Sequence, residues 1–137
     1  MRLSRVLALL ICLAVLLLAA CGISSSDLLG TSWRLVEIDG QAPPAGTEVT
    51  LSFRREQLEG YTGCNHYFGS YLAKRGRLAV EGLNMTERGC LEPEGIHQQE
   101  NRLAQLLSHA THYERSGDEL RILCEGGEVL VFAPADD

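Results

Sequence analysis

From residue 31 onward, apolar residues come in short runs separated by glycine-rich turns, and only one stretch repeats them at helical spacing. Such a pattern has few structural solutions. Val49, Leu51 and Phe53 alternate with Thr50 and Ser52, which reads as a strand buried on one face. Leu58–Thr62 reads as its returning partner across a turn at 54–57. Asp39-Gly40, Gly76 in Lys74–Arg77, Gly117-Asp118 and Gly126-Gly127 mark further turns. They delimit strands over Thr31–Ile38, Gly69–Leu72, Leu78–Leu83, Thr111–Arg115, Leu120–Leu123 and Val129–Ala133. Thr86–Cys90 reads as a loop or one more short strand. Ile96, Leu103, Leu106, Leu107 and Ala110 lie on one helical face, which predicts a helix over 94–109. Pro93 suits its first turn, and Glu92 and Glu94 favour its positive end. The expected class is α+β: a curved, mostly antiparallel sheet, forming a partial barrel, with one helix packed on its face.

The fold must be built without the first 20 residues. Arg2 and Arg5 precede an almost purely apolar run from Val6 to Leu18, and Leu18-Ala19-Ala20-Cys21 closes it. The run is shorter than the roughly 20 residues that span a bilayer core. A basic start, an apolar middle and small residues before a cysteine form a lipoprotein signal peptide, cleaved to leave Cys21 as a lipidated N-terminus. The reading is therefore signal peptide 1–20, tether 21–27, one domain over 28–133 and a tail at 134–137. The membrane is expected as a partner through the lipid anchor alone. Gly22, in place of the aspartate that retains such proteins at the inner membrane, points to the periplasmic face of the outer membrane.

Cleavage leaves 117 of the 137 residues, enough for one core. Ten basic residues then face eighteen acidic ones, a formal charge of −8. An acidic domain with no basic stripe is a poor match for nucleic acid. Arg54-Arg55 and Lys74-Arg75 read as solvated hairpin tips. A monomer is expected.

Cys12 leaves with the leader, so Cys64, Cys90 and Cys124 remain beyond the lipidated residue. An oxidising compartment favours one bridge. Cys124 shares a strand face with Leu120 and Ile122 and reads as a buried thiol. That favours Cys64 with Cys90, closing a loop of about 27 residues worth ~3.5 kcal/mol in the chain-entropy model. Two free thiols, or a pairing through Cys124, stay open at this point.

The chain offers little catalytic chemistry. Cys64-Asn65-His66 has no second ligand pair at metal-binding spacing, and His97, His109 and His112 add none. His109 is better placed to meet the negative end of the helix. There is no Gly-X-Ser-X-Gly and no phosphate loop. No catalytic residue, metal or cofactor is assigned.

The run Gly60-Tyr61-Thr62-Gly63-Cys64-Asn65-His66-Tyr67-Phe68-Gly69-Ser70-Tyr71 resembles the signature of the META domain, the HslJ-like family. Leu29–Leu35, Asp39-Gly40, Leu83–Cys90, Glu100 with Leu103, and Tyr113 with Gly117-Asp118 and Leu120 are similar in order. The likeness covers about residues 28 to 133. Residues 85–90 depart from the methionine more usual just before the cysteine region, and Cys124 is extra. The resemblance implies a curved antiparallel sheet with one helix. It also implies a small envelope protein, often a lipoprotein, tied to stress responses or antibiotic tolerance, and it brings no catalytic residues.

Two accounts of the signature follow from its chemistry. In one it is a structural corner: Gly60 and Gly63 allow close approach or positive φ, Cys64 staples the bend, and the aromatics pack. In the other, Tyr61, Asn65, His66, Tyr67 and Tyr71 line a ligand groove. The structural account is favoured, because nothing in the run requires a reaction. The functional expectation is a non-enzymatic envelope module that binds a protein or ligand. The alternative is an inhibitor of a hydrolase such as lysozyme, whose positive charge an acidic surface complements. Replacing Cys21 with serine should abolish incorporation of labelled palmitate and release the chain from the membrane fraction; unchanged fractionation would overturn the anchor.

Overall fold

The computed structural model describes residues 27–135, so Cys21, the leader and the last two residues lie outside the described residues. Eight strands run in chain order: β1 (Ser32–Ile38), β2 (Thr50–Phe53), β3 (Gln57–Tyr61), β4 (His66–Lys74), β5 (Arg77–Met85), β6 (Ala110–Ser116), β7 (Glu119–Cys124) and β8 (Val129–Pro134). One helix, α1 (Ile96–Ser108), separates β5 from β6. Each strand pairs antiparallel with the next, and β8 returns beside β1 through pairs from Trp33↔Pro134 to Ile38↔Leu130.

The barrel is therefore closed, not partial as the sequence suggests. Closure pairs the two outer strands, β1 and β8, whose edges would otherwise present unpaired backbone groups. The join between β5 and β6 is the thinnest, with a single strand pair at Arg77↔His112. There α1 interrupts the chain and packs against β5.

Alternation decides what fills the barrel. Trp33, Leu35, Leu51, Phe53, Leu58, Tyr67, Leu78, Val80, Leu120, Ile122, Leu130 and Phe132 point inward and are buried in one cluster. Their neighbours along each strand face water. Two-residue turns with positive φ lie at Arg75-Gly76, joining β4 to β5, and at Asp39-Gly40, where Ile38 pairs with Gln41 in an isolated bridge.

Because the strands alternate in direction, one end of the barrel gathers the C-termini of β1, β3, β5 and β7 with the N-termini of the others. The helix packs at this end rather than on a sheet face. Its buried stripe is Ile96, Gln99, Glu100, Leu103, Leu106 and Leu107. At the other end Leu28 is fully buried, and the Asp27 carboxylate accepts a hydrogen bond from the Tyr113 hydroxyl at 2.6 Å.

Several boundaries move. The β4 strand starts at His66, three residues before Gly69, because Tyr67 and Gly69 continue the inward alternation. Residues 86–90 form no strand: the Thr86 N–H still reaches the His66 carbonyl of β4 at 3.0 Å, but both backbone groups of Arg88 bond the Asn65 side chain instead of a strand. The helix begins after Pro93, and neither Glu92 nor Glu94 lies in its first turn. Gly95 in the left-handed region turns the chain into it (φ 85°). His109 does serve the helix end, its ring N–H donating to the Gln105 carbonyl at 2.7 Å.

Cys124 lies buried on the face with Leu120 and Ile122, a free thiol 3.3 Å from the Leu106 carbonyl. Burial, reinforced by Glu128, pushes this thiol up to about 11. The protonated form is thus favoured by folding. Its contribution to stability is complete below the unfolded thiol's value of 9.0 and fades as pH rises toward about 11. With Cys12 and Cys21 replaced by serine, Ellman's reagent at pH 8 should find no reactive thiol in the folded chain and Cys124 alone in denaturant; labelling of Cys124 without denaturant would contradict the packing.

Candidate functional site

The β3–β4 turn carries the signature residues, and its geometry begins with two glycines. Gly60 leaves the room in which the Tyr67 hydroxyl donates to the Thr50 carbonyl at 2.6 Å; a Cβ there would collide with both groups. Gly63 sits at φ 98° with the Ile96 and Thr47 side chains against it. These constraints turn the chain sharply between β3 and β4, and the Thr62 N–H closes the turn on the Asn65 carbonyl at 2.8 Å.

The turn places Asn65, only 4% exposed, at the centre of a buried polar knot. Its Oδ1 accepts from the Thr86 hydroxyl (2.9 Å) and the Arg88 N–H (2.7 Å). Its Nδ2 donates to the Arg88 carbonyl (3.2 Å) and to Glu100 Oε1 (2.9 Å). Glu100, 3% exposed, also accepts from the Thr62 hydroxyl and the Asn65 N–H (3.1 Å). Its second oxygen faces His97 Nδ1 at 3.2 Å. The Thr62 hydroxyl accepts the Asn65 N–H at 2.9 Å, and Gln99 Nε2 donates to the Thr62 carbonyl at 2.9 Å. A carboxylate without such donors would be costly to bury.

A disulfide joins Cys64 to Cys90 with Cα atoms 6.0 Å apart, so segment 86–90 is held to the turn covalently as well. This pairing is the one favoured by the sequence. It spends Cys64, and among the described residues no three His, Cys, Asp or Glu side chains converge to hold a metal.

The five residues named from the sequence as a groove do not share one surface. Asn65 lies inside the knot. Tyr67 points into the barrel, where burial drives its hydroxyl above its ordinary value. Tyr71, also raised by burial, stands nearer the opposite barrel end, its hydroxyl on the Arg54 carbonyl at 2.9 Å and its ring edge-on to Phe53. Only Tyr61 and His66 meet, with ring centroids 5.0 Å apart. They border a hollow of about 320 Å³ on the outer wall, which Tyr67 and Phe68 also line.

Sequence reasoning missed Thr62, Gln99 and the role of Glu100. A signal existed for Glu100: it falls on the helical stripe of Ile96, Leu103 and Leu107, where a carboxylate needs a partner. Nothing in the local pattern names that partner. Asn65→Ala should lower stability by ~3 kcal/mol in chemical denaturation, because it strands buried donors and acceptors. His66→Ala, whose side chain is exposed, should stay within about 0.5 kcal/mol. Equal effects would remove the knot's structural role.

Solved structures share this barrel. A solution structure of a protein from Burkholderia xenovorans matches with a TM-score of 0.66 and 28% identity, over 80% of this chain and 85% of its own. A second solution structure matches with a TM-score of 0.66 and 20% identity, over 80% of this chain and 93% of its own. A crystal structure of a DUF4847 family protein from Bacteroides vulgatus gives 0.58 and 14%, covering 81% and 96%. The last two likenesses, at low identity, concern the fold alone. No curated protein sequence matches. The META domain family model matches residues 26–137, and the chain belongs to that family.

Proposed function

We propose that the chain is a non-enzymatic, lipid-anchored module of the bacterial envelope. Cys21 tethers it at the periplasmic face of the outer membrane, and its outer barrel wall engages a protein partner in support of envelope integrity under stress. The observation that carries this reading is Phe68, which stands outward on β4 at 46% exposure. It borders two shallow hollows, of about 320 and 470 Å³, one on the Tyr61–His66 side and one toward Ser70 and Asn84. An exposed aromatic beside concave surface is a common anchor for protein contacts. The interior supports the same reading: the barrel is filled by its own side chains, and the polar knot is largely satisfied from within the chain.

The charge of −8 on the cleaved chain supports a second reading, inhibition of a basic hydrolase such as lysozyme. Muramidase activity that is unchanged at micromolar protein would remove it.

A photo-reactive side chain placed at position 68 of the full chain in cells should yield a discrete adduct with one envelope protein. The same probe at position 121, exposed on β7, should not. No adduct, or equal adducts from both positions, would overturn the outer-wall reading.

A further inference from the structure

The two ends of the barrel differ in charge. Segments 37–48, 86–102 and 125–128 gather at the helix end and hold nine acidic side chains and two basic ones. Segments 27–31, 54–56, 74–77 and 114–121 gather at the opposite end, where the chain enters at Asp27, with seven basic side chains and five acidic. The acidity of the whole chain therefore conceals a basic end. The imbalance is concentrated further within it. The β2–β3 and β4–β5 tips, 54–56 and 74–77, carry five basic residues and only Glu56 against them.

The fold brings those two tips together. The Tyr71 N–H donates to the Glu56 carbonyl at 3.3 Å and its hydroxyl to the Arg54 carbonyl at 2.9 Å, which ties the first tip to β4 three residues before Lys74. Arg54 pairs with Glu59 at 3.2 Å. Arg55, Lys74, Arg75 and Arg77 are exposed and make no ion pair among the described residues. Two large apolar side chains stand beside them. Leu72, 71% exposed, points outward two residues before Lys74. Leu29, 47% exposed, lies by the first tip, because the Gly30 N–H reaches the Phe53 carbonyl at 2.8 Å. Cations flanking exposed leucines match a bilayer interface, where anionic headgroups meet the first methylenes.

We propose that this end of the barrel docks on an anionic phospholipid surface, with Arg55, Lys74, Arg75 and Arg77 on the phosphates and Leu29 and Leu72 in the interface. The inference rests on the Cys21 anchor of the proposed function. Six peptide units join Cys21 to Asp27, a reach of at most about 20 Å. The anchor holds this end near the headgroups and supplies the association, so a modest attraction suffices to fix the orientation. The same negative surface repels the acidic helix end, which is left facing away from the bilayer.

The test uses the full chain purified from envelopes, with a fluorescent side chain placed at position 79, opposite Leu72 on β5, or at position 42, at the helix end; Ala79 and Ala42 are both exposed and uncharged. The chain is reconstituted in vesicles of phosphatidylcholine, with or without phosphatidylglycerol, that contain a lipid with a quencher on its headgroup. With phosphatidylglycerol present, quenching at 79 should exceed that at 42, and its removal should lower the signal at 79 by about threefold or more. The variant Arg55→Gln, Lys74→Gln, Arg75→Gln, Arg77→Gln, which alters exposed residues only, should give the lower value in both lipids. Quenching at 79 that ignores phosphatidylglycerol, or that equals the value at 42, would overturn the docking. Failure of the anchor reads differently: the chain would not float with vesicles of phosphatidylcholine alone. Flotation with phosphatidylglycerol that the glutamine variant loses would then still support the basic end, and no flotation with either lipid would overturn it.

Discussion

Glu100 carries a carboxylate into the rim of a hydrophobic barrel, and the arrangement of that rim follows from what the carboxylate needs. Thr62 and Asn65 supply hydroxyl, amide and backbone donors from a single turn. Those donors reach Glu100 only if the turn is tight and the helix lies across the barrel mouth. Asn65 passes the same demand outward to Thr86 and Arg88, and so fixes a segment that has no strand pairing of its own. One buried side chain thus ties together the helix, the β3–β4 turn and the loop that follows β5. In low dielectric such a network fixes one packing when complete and is costly when any member is missing.

The rim also explains where surface chemistry remains. With Asn65 and Tyr67 committed to the fold, the signature's outward residues Tyr61, His66 and Phe68 border a shallow hollow on the outer wall. The helix covers the end of the barrel and leaves the stretch of wall that carries Phe68 exposed.

Much of this was legible from residue patterns. The alternation of Val49, Leu51 and Phe53, the turn at Asp39-Gly40 and the stripe of Leu103, Leu106 and Leu107 read directly as strand, hairpin and helix, because each depends on neighbours within a few residues. Cys124 could be set apart from the bridge because its strand face was readable. The closure of β8 on β1 was not legible, since a register across nearly a hundred residues leaves no mark in local periodicity. Nor was the division of the signature aromatics, Tyr67 inward and Phe68 outward, separable from their shared composition. It depends on β4 beginning at His66.

The amino-acid sequence by itself determined most of the elements among the described residues, their order and the position of the helix that follows β5. These follow from backbone geometry and side-chain size acting locally. Only the tertiary structure decided that the sheet closes and that Glu100 meets Thr62 and Asn65. Those facts depend on which distant groups arrive together, and it is desolvation at that meeting, not local preference, that sets the free energy of each polar group.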